Sequence, residues 1–448
     1  MFIDGPAAQP KLTVGIMDRQ TRVFGRLDGR FYSGGLGPVS GRFSATTVAG
    51  MIVLTDETER EIARAPLVKL TPSGGGAFRL FSVTIGNEFH WQRMEDQTFR
   101  GDLTLAVRQD GTITAINEVP LEEYLASVIS SEMNAAAPKE FLKAHAISSR
   151  SWLLAALHRK DKSQATRGRT MSPPEKEGEV IRWYEREEHD LFDVCADDHC
   201  QRYQGITKIV SERAKEAVSE THGKVILYHD EICDARYSKA CGGLTEDFDT
   251  AWDDKRVPYL ASTSDAPVPY RKIETEEEAA RWILSEPEAY CKAKDIALLE
   301  TILPDVDRET RSFFRWTIEC SAGELEEILR EKSGFDFGMP QEIVPLRRGP
   351  SGRISRLRIV GSKMSMIVGK ELEIRRWLSR SHLYSSAFTV AVERNPQGKA
   401  EKFVFHGAGW GHGAGLCQIG AAVMASQGSS AEEILKHYFQ GVEIRKIY

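Results

Sequence analysis

Four groups of side chains in this sequence have types and spacings that can do chemistry. The first is Glu132, in the run VPLEEYLASVISSEM. Leu121, Tyr124, Leu125, Val128 and Ile129 recur at the period of one helical face. Glu132 falls eleven residues after Leu121, about three turns at 3.6 residues each, so the acid belongs to the apolar stripe. A carboxyl against apolar surface has its charged form disfavoured and its pKa raised, which suits a general acid near neutral pH. The same spacing also permits a glutamate that leaves the stripe in the last helical turn and reaches solvent. Arg150 is the second candidate, standing among Ala144, Ala146, Ser148 and Ser149 in a stretch poor in charge. Its planar fork of donors can fix Glu132 or a ligand oxygen, or it can be an ordinary surface arginine.

The third group is His189, Cys195, His199 and Cys200 in HDLFDVCADDHC, imidazole and thiolate donors within twelve residues. A tetrahedral zinc takes such ligands, although the spacing is not that of a zinc finger. The other reading has both cysteines as small buried residues and both histidines at the surface. The fourth group lies in HGAGWGHGAGLCQIG, with six glycines from His406 through Gly420. That is too many for a helix and suits a loop packed closely against ligand or backbone. Trp410 can stack on a sugar ring, and His412 can orient a carboxylate or hydroxyl. No lysine follows in the phosphate-loop pattern, which argues against a nucleotide site.

The elements that must position these groups are partly legible. Pro120 suits the first turn of a helix and Pro138 opens a second, along which Phe141, Leu142, His145, Ser149, Trp152, Leu153 and Ala156 keep a helical period. The small residues Ala144, Ala146, Ser148 and Ser149 would let that helix approach another backbone closely. Residues 11 to about 118 read as strands: Lys11 to Ile16, Val23 to Leu27, Met51 to Leu54, Phe78 to Ile85 and Leu103 to Val107, with Gly-rich breaks at Ser33 to Gly37 and Gly74 to Gly76. FHWQRMEDQTFRG, beginning at Phe89, sets aromatics beside charge, either to stack on sugar or as a hairpin whose Trp and Phe are core. Residues 159–190, with MSPPEKEGE inside them, lack a clear period and read as a loop. Ala214 to Ser219 suits a helix. Val225 to Tyr228 and Ile232 to Tyr237 suit a hairpin around His229 and Asp230. Two helical patterns, Glu274 to Leu284 and Ala322 to Glu331, precede strands at Ile354 to Val360 and Phe403 to Phe405. Gln418 to Gln427 reads as helix, and Ser430 with Glu433 forms a capping box for the last one, which ends before Gly441.

Composition narrows the functional classes. The chain has 448 residues, 41% hydrophobic and 28% charged, with a formal net charge of −6. That length allows two or three domains. The balance lacks the basic footprint of a nucleic-acid binder. No run of about eighteen apolar residues forms a membrane span. MFIDGPAAQPKLTVGI lacks the basic and apolar regions of a secretory signal, so read literally this form is cytoplasmic. Seven cysteines cannot all pair within one molecule. With Cys195 and Cys200 clustered and Cys233, Cys241, Cys291, Cys320 and Cys417 scattered, a metal cluster plus buried thiols fits better than a disulfide framework.

The pattern V-P-L-E-E-Y-L, then S-E-M, then P-x-E-x-L-K-A-x-A-x-x-x-R-S-W resembles the signature of the stage II sporulation protein D (SpoIID-like) family of peptidoglycan lytic transglycosylases and amidase enhancers. HCQRYQG from His199 and GWGHGAGLCQIGA from Gly409 agree with it, so the resemblance covers roughly Phe99 to Tyr448. It implies that Glu132 acts alone, first protonating a glycosidic oxygen and then taking the proton of the carbon-six hydroxyl of N-acetylmuramic acid, which closes as a 1,6-anhydro sugar. An ordinary glycosidase needs a second carboxylate, and Glu122 and Glu123 lie at the helix's other end. The resemblance assigns support to Arg150 and glycan binding to Gln201, Tyr203, Tyr237, Ser238, Trp410, His412 and Gln418. It implies zinc, structural or near the active groove, with His189, Cys195 and Cys200 matching most closely and His199 beside them. Cys241, before the double glycine Gly242 and Gly243, is either a further ligand or an ordinary thiol. Asn134 stands where the family commonly has proline, and His145 where it commonly has glutamine.

The expected fold is α+β, a strand-rich body with a central helix pair forming a glycan-binding groove, plus an inserted helical lobe. The expected domains are a β-rich domain at 1–98, a core at 99–273 with the catalytic helix, an inserted lobe at 274–345, and the rest of the core at 346–448. The implied partners are peptidoglycan glycan strands and an amidase. The implied location is the cell envelope, with the signal segment absent from this form. The alternative function is a non-catalytic wall-binding modulator that activates a partner amidase.

Overall fold

The computed structural model describes residues 9–34, 37–87, 91–166, 177–184, 189–308 and 312–448, with backbone alone for 160–166. Expectations that touch the first eight residues, the break at 35–36, Phe89 and the loop at 167–176 and 185–188 lie outside the described residues. The fold is α+β. The chain divides into two compact units: residues 1–137, 186–224 and 446–448, and residues 138–185 and 225–445.

The first unit is built on strands β1 (Lys11–Gln20), β2 (Arg22–Tyr32), β3 (Val39–Val48), β4 (Met51–Asp56), β5 (Glu61–Ala65), β6 (Leu67–Pro72), β7 (Ala77–Ile85), β8 (Arg93–Arg100), β9 (Asp102–Val107) and β10 (Ile113–Pro120). Hydrogen bonds join these strands and the short Val194–Cys195 in the order 194–195, β1, β10, β9, β6, β2, β3, β4, β5, with β7 between β2 and β8. Alternation drives the pairing: in β2, Val23 and Leu27 face the core while Phe24 is 45% exposed. Val14, Phe31, Phe43, Phe78, Phe99, Leu103 and Leu105 complete that core.

Strand β10 runs directly into helix α1 (Leu121–Glu132), with Pro120 at φ −60° as the hinge residue and the Leu121 N–H donating to the Pro10 carbonyl at 2.9 Å. The helix packs against β10 and against helix α3 (Glu212–Glu220). Asn134 closes the turn that follows: its Oδ1 accepts the Ala136 N–H at 2.9 Å, giving the chain reversal a hydrogen bond that proline cannot make.

The second unit begins with helix α2 (Lys139–Thr166), which runs past the point where the apolar period fades because Lys, Gln and Ala there are good helix formers. It packs against helices Gln418–Ser426 and Ala431–Tyr438, the latter opened by the capping box of Ser430 and Glu433. Ser148 donates to the Ala235 carbonyl at 2.9 Å, and Ser151 accepts the Ile226 N–H at 2.8 Å, so the small face does admit close backbone approach. The hairpin Lys224–Tyr228 and Glu231–Ile232 turns at His229 and Asp230, both at positive φ as a two-residue primed turn requires.

Residues 274–345 hold the helices Glu276–Leu284 and Ala322–Ser333 together with strands Arg315–Ser321 and Pro340–Arg348. The first of these strands pairs with Ala400–Ala408 and the second with Ile354–Gly361. Leu325, Leu329, Leu357, Val368, Trp377, Phe388 and Phe403 form the core beneath them.

Candidate functional site

Glu132 is the last residue of α1 and is only 8% exposed. The apolar stripe alone does not account for this burial. Every residue of α1 except Glu123 is buried, so Glu132 is enclosed because the whole helix is. Ser130 and Ser131 tolerate this by donating their hydroxyls to the carbonyls of Ala126 and Ser127, at 2.7 and 2.8 Å.

Glu132 Oε1 accepts the backbone N–H of Arg202 at 3.0 Å. Arg202 is a hub that sequence reasoning passed over although it lies inside HCQRYQG. Its Nε donates to Asp198 Oδ1 at 2.7 Å, and its guanidinium sits 4.4 Å from the centre of the Trp91 ring. Asp198 is a second carboxyl in this neighbourhood. Burial pushes it up to about 7, opposed by Arg202 and reinforced by the charges of Asp197 and Glu132. Two adjacent acidic residues in a polar loop read as solvated, so its burial is not legible from the residues alone.

The rest of the loop is fastened to α1. Gln201 Oε1 accepts from the Tyr124 hydroxyl at 3.1 Å, and the Gln204 N–H donates to Ser127 Oγ at 3.2 Å. Tyr203 stacks on Tyr124 with ring centres 5.1 Å apart and donates to Asn117 Oδ1 at 2.6 Å. The Tyr203 phenol is buried and braces the loop against β10, while the residue also borders a cavity with Arg100, Val119 and Glu123. Gly205 needs to be glycine: at φ 58° a Cβ would stand 2.2 Å from the Thr98 carbonyl oxygen. Ser127→Ala should leave the buried Gln204 amide without its acceptor, at a cost of about 1–3 kcal/mol. Hydrogen exchange at Gln204 should then speed up about tenfold or more. Unchanged protection would mean the loop is not held through Ser127.

The same loop gathers the predicted metal ligands. One donor atom from each of His189, Cys195, His199 and Cys200 lies within 4.8 Å of the other three. Cys200 Sγ is 3.5 Å from His189 Nε2 and 3.4 Å from His199 Nδ1, and Cys195 Sγ is 3.7 Å from His199 Nδ1. A tetrahedral zinc with Zn–S about 2.3 Å and Zn–N about 2.0 Å sets sulfur-to-nitrogen edges of about 3.5 Å. The donor set and spacing therefore fit the ion. The Cys195 thiol is pushed up to about 12 by the adjacent Cys200 sulfur and by burial. Cys241 does not join this group; it lies in another cluster, with Asp265, Cys291 and Cys417.

The second unit holds the remaining candidates. Arg150 is fully buried, not a surface residue. Tyr237 and Ser238 form a short strand parallel to Leu416–Cys417, and the buried Ser238 Oγ has no hydrogen-bond partner among the described residues. The Tyr237 ring meets His145 edge-on at 4.8 Å. His145 is pushed down to about 3 by burial and by Lys239, so it is neutral. Gln418 Nε2 lies 3.3 Å from His145 Nε2; read as donor to acceptor, this bond leaves the imidazole proton on Nδ1.

In the Gly-rich loop, Trp410 stacks on Tyr384 with ring centres 4.1 Å apart and abuts Phe313 at 4.8 Å. His412 meets Trp252 at 4.8 Å and accepts the Ala414 N–H through Nδ1 at 3.1 Å. Burial and the cations of Arg236, Arg353 and Arg375 hold it far below the usual histidine range. Arg353, fully buried, pins the loop by donating to the carbonyls of Gly411 and Cys241, each at 3.0 Å. Gly413 makes room for it, since a Cβ there would lie 2.4 Å from the guanidinium carbon. Nothing near Arg353 in the sequence marks a site.

The family model described as Stage II sporulation protein (SpoIID) matches residues 109–228, and a domain of unknown function (DUF8618) matches residues 246–415. Stage II sporulation protein D of Bacillus amyloliquefaciens is 25% identical over 331 residues, 74% of this chain and 75% of that protein. Stage II sporulation protein D of Bacillus subtilis (strain 168) is 22% identical over 332 residues, 74% and 76%. An amidase enhancer of the same organism is 25% identical over 246 residues, 52% of this chain and 33% of the enhancer. The first family match takes in Glu132, Arg150 and the four His and Cys residues.

Proposed function

The chain carries a stage II sporulation protein D family domain and is homologous to Bacillus proteins of that family, and from this premise we propose that it is a lytic transglycosylase of peptidoglycan glycan strands. The observation that carries the reading is Glu132, a buried carboxyl within the S-E-M motif whose Oε1 is fixed by the Arg202 amide. As the acid, Glu132 gives its proton to the oxygen joining N-acetylmuramic acid to N-acetylglucosamine, and that bond breaks with the N-acetylglucosamine hydroxyl leaving. As the carboxylate, it takes the proton of the muramic carbon-six hydroxyl, whose oxygen bonds to the anomeric carbon. Glu132 ends protonated as it began, no water is consumed, and the product end is 1,6-anhydro-N-acetylmuramic acid.

A burial-enclosed acid fits this cycle because water is the competing nucleophile. Two carboxylates serve hydrolases that activate water or form a covalent intermediate. Asp198 is instead bonded to Arg202, and we assign it to positioning the residue whose amide holds Glu132. Arg150, Tyr237, Ser238, Trp410, His412 and Gln418 are the proposed glycan-holding set, with aromatic faces for sugar rings and amide and hydroxyl groups for sugar hydroxyls. Strands stripped of stem peptides are the proposed substrate, and the cell envelope the proposed location.

A zinc ion held by His189, Cys195, His199 and Cys200 belongs to the proposal. With four protein ligands it would be a closed, structural ion that supplies no step of bond cleavage. Cys200 is followed directly by Gln201 and Arg202, so these ligands set the path of the loop that reaches Glu132.

The amidase enhancer among the relatives favours a second reading, a wall-binding modulator that activates a partner amidase without cutting glycan. Incubation with peptide-stripped strands, followed by mass spectrometry of the ends, separates the two. Anhydro-muramyl ends are expected; no product, with a partner amidase stimulated, would select the modulator.

A further inference from the structure

Cys241, Asp265, Cys291 and Cys417 converge from widely separated positions in the second unit, with Cys241 and Cys417 176 residues apart. All four are buried, and one donor atom from each lies within 4.8 Å of the other three. Cys241 Sγ and Cys291 Sγ are 3.7 Å apart. That separation is close to the edge of about 3.8 Å set by two sulfurs at about 2.3 Å on a tetrahedral zinc.

The surroundings are built to hold these atoms in place. The Cys241 N–H donates to Cys417 Sγ at 3.2 Å, and the Gly243 N–H donates to Cys241 Sγ at 3.4 Å. Asp265 Oδ2 accepts the Cys291 N–H at 2.9 Å, and Oδ1 accepts the Tyr438 hydroxyl at 2.5 Å. Gly420 keeps that carboxyl's space open, since a Cβ there would lie 2.4 Å from Asp265 Oδ1. The half-buried Arg315 guanidinium donates to the Gly242 carbonyl at 3.0 Å, next in sequence to Cys241. N–H donors aimed at sulfur, a carboxylate bonded on both oxygens and a cation close by form the outer shell that an anionic ligand set requires. Three thiols and a carboxyl enclosed together are otherwise a poor core: apolar side chains of the same volume would pack there without a polar cost.

We propose that Cys241, Asp265, Cys291 and Cys417 form a second zinc site, separate from the His and Cys cluster of the first unit. Thiolates select zinc among the common divalent ions, and four protein ligands make the site structural. It staples residues 265–291 to the end of the strand carrying Ser238 and to the start of the helix carrying Gln418. The inference stands whether or not the chain cuts glycan.

The test is metal content by mass spectrometry of protein expressed with added zinc, purified without chelator and dialysed against metal-free buffer. The full chain should hold two zinc ions, and Cys291→Ser and Cys200→Ser should each hold one. A content of one that Cys200→Ser abolishes and Cys291→Ser keeps would overturn the second site, as would a Cys241–Cys291 disulfide in a non-reducing peptide map. If Cys291→Ser does not fold, X-ray absorption at the zinc edge of the unaltered protein decides. Between two and three sulfurs per zinc supports both sites, and two sulfurs per zinc overturns the second.

Discussion

Glu132→Gln is expected to remove glycan cleavage, lowering the rate by about two to four orders of magnitude, the range a positioned general acid contributes. Glutamine has the same length and shape, and its carbonyl oxygen can still accept the Arg202 N–H that bonds Oε1 at 3.0 Å. The buried end of α1 should therefore keep its structure, and the thermal midpoint should move little. What the amide cannot do is give a proton to the leaving oxygen or take one from the carbon-six hydroxyl. Binding of glycan strands, measured by sedimentation with insoluble wall, should survive. A variant that still produces anhydro ends at the parent rate would remove Glu132 from the chemistry.

Cys200→Ser is expected to lose one zinc ion and to reduce cleavage by about 10- to 100-fold, the effect commonly seen when a group supporting a site is lost. The sulfur sits 3.5 Å from His189 Nε2 and 3.4 Å from His199 Nδ1, so its removal breaks the cluster at its centre. The consequence reaches the acid through two peptide bonds, because Arg202 is the residue that holds Glu132. Cys233→Ser, which alters a buried thiol outside both clusters, should keep its zinc. Full activity in a Cys200→Ser protein shown to lack that ion would mean that the loop keeps its path without it.

How far the sequence could be read depended on whether the determinants were local. Pro120, Pro138 and the capping box of Ser430 with Glu433 announce helix boundaries through backbone geometry, and helices start within a residue of where they indicate. The primed turn at His229 and Asp230 was legible for the same reason. Strands β3, β5, β6, β8 and β10 went unread. VSGRFSATTV and EIARA carry many polar or small residues, and their strand state comes from pairing with neighbours.

The site shows the same division. The four His and Cys side chains that the structure brings together within twelve residues could be grouped because they are neighbours in sequence. Asp198, Arg353 and the cluster around Cys241 could not, because each acquires its meaning only when distant segments enclose it. Phe99 packs in the core as one reading of its segment held, while Trp91 lies under the Arg202 guanidinium, a contact its sequence context does not suggest. Glu132 is instructive in another way. Of the two readings its spacing allows, the buried one holds, but the stripe is only part of a helix enclosed on nearly all sides.

The central claim is that one carboxyl serves as acid and then as base without water. The most direct measurement is the mass of the ends released from peptide-stripped glycan strands in water enriched in oxygen-18. The account predicts 1,6-anhydro-muramyl ends, one water lighter than hydrolysed ends and free of the label. Reducing muramyl ends carrying oxygen-18 would contradict it, and would turn attention to Asp198 as a second working carboxylate.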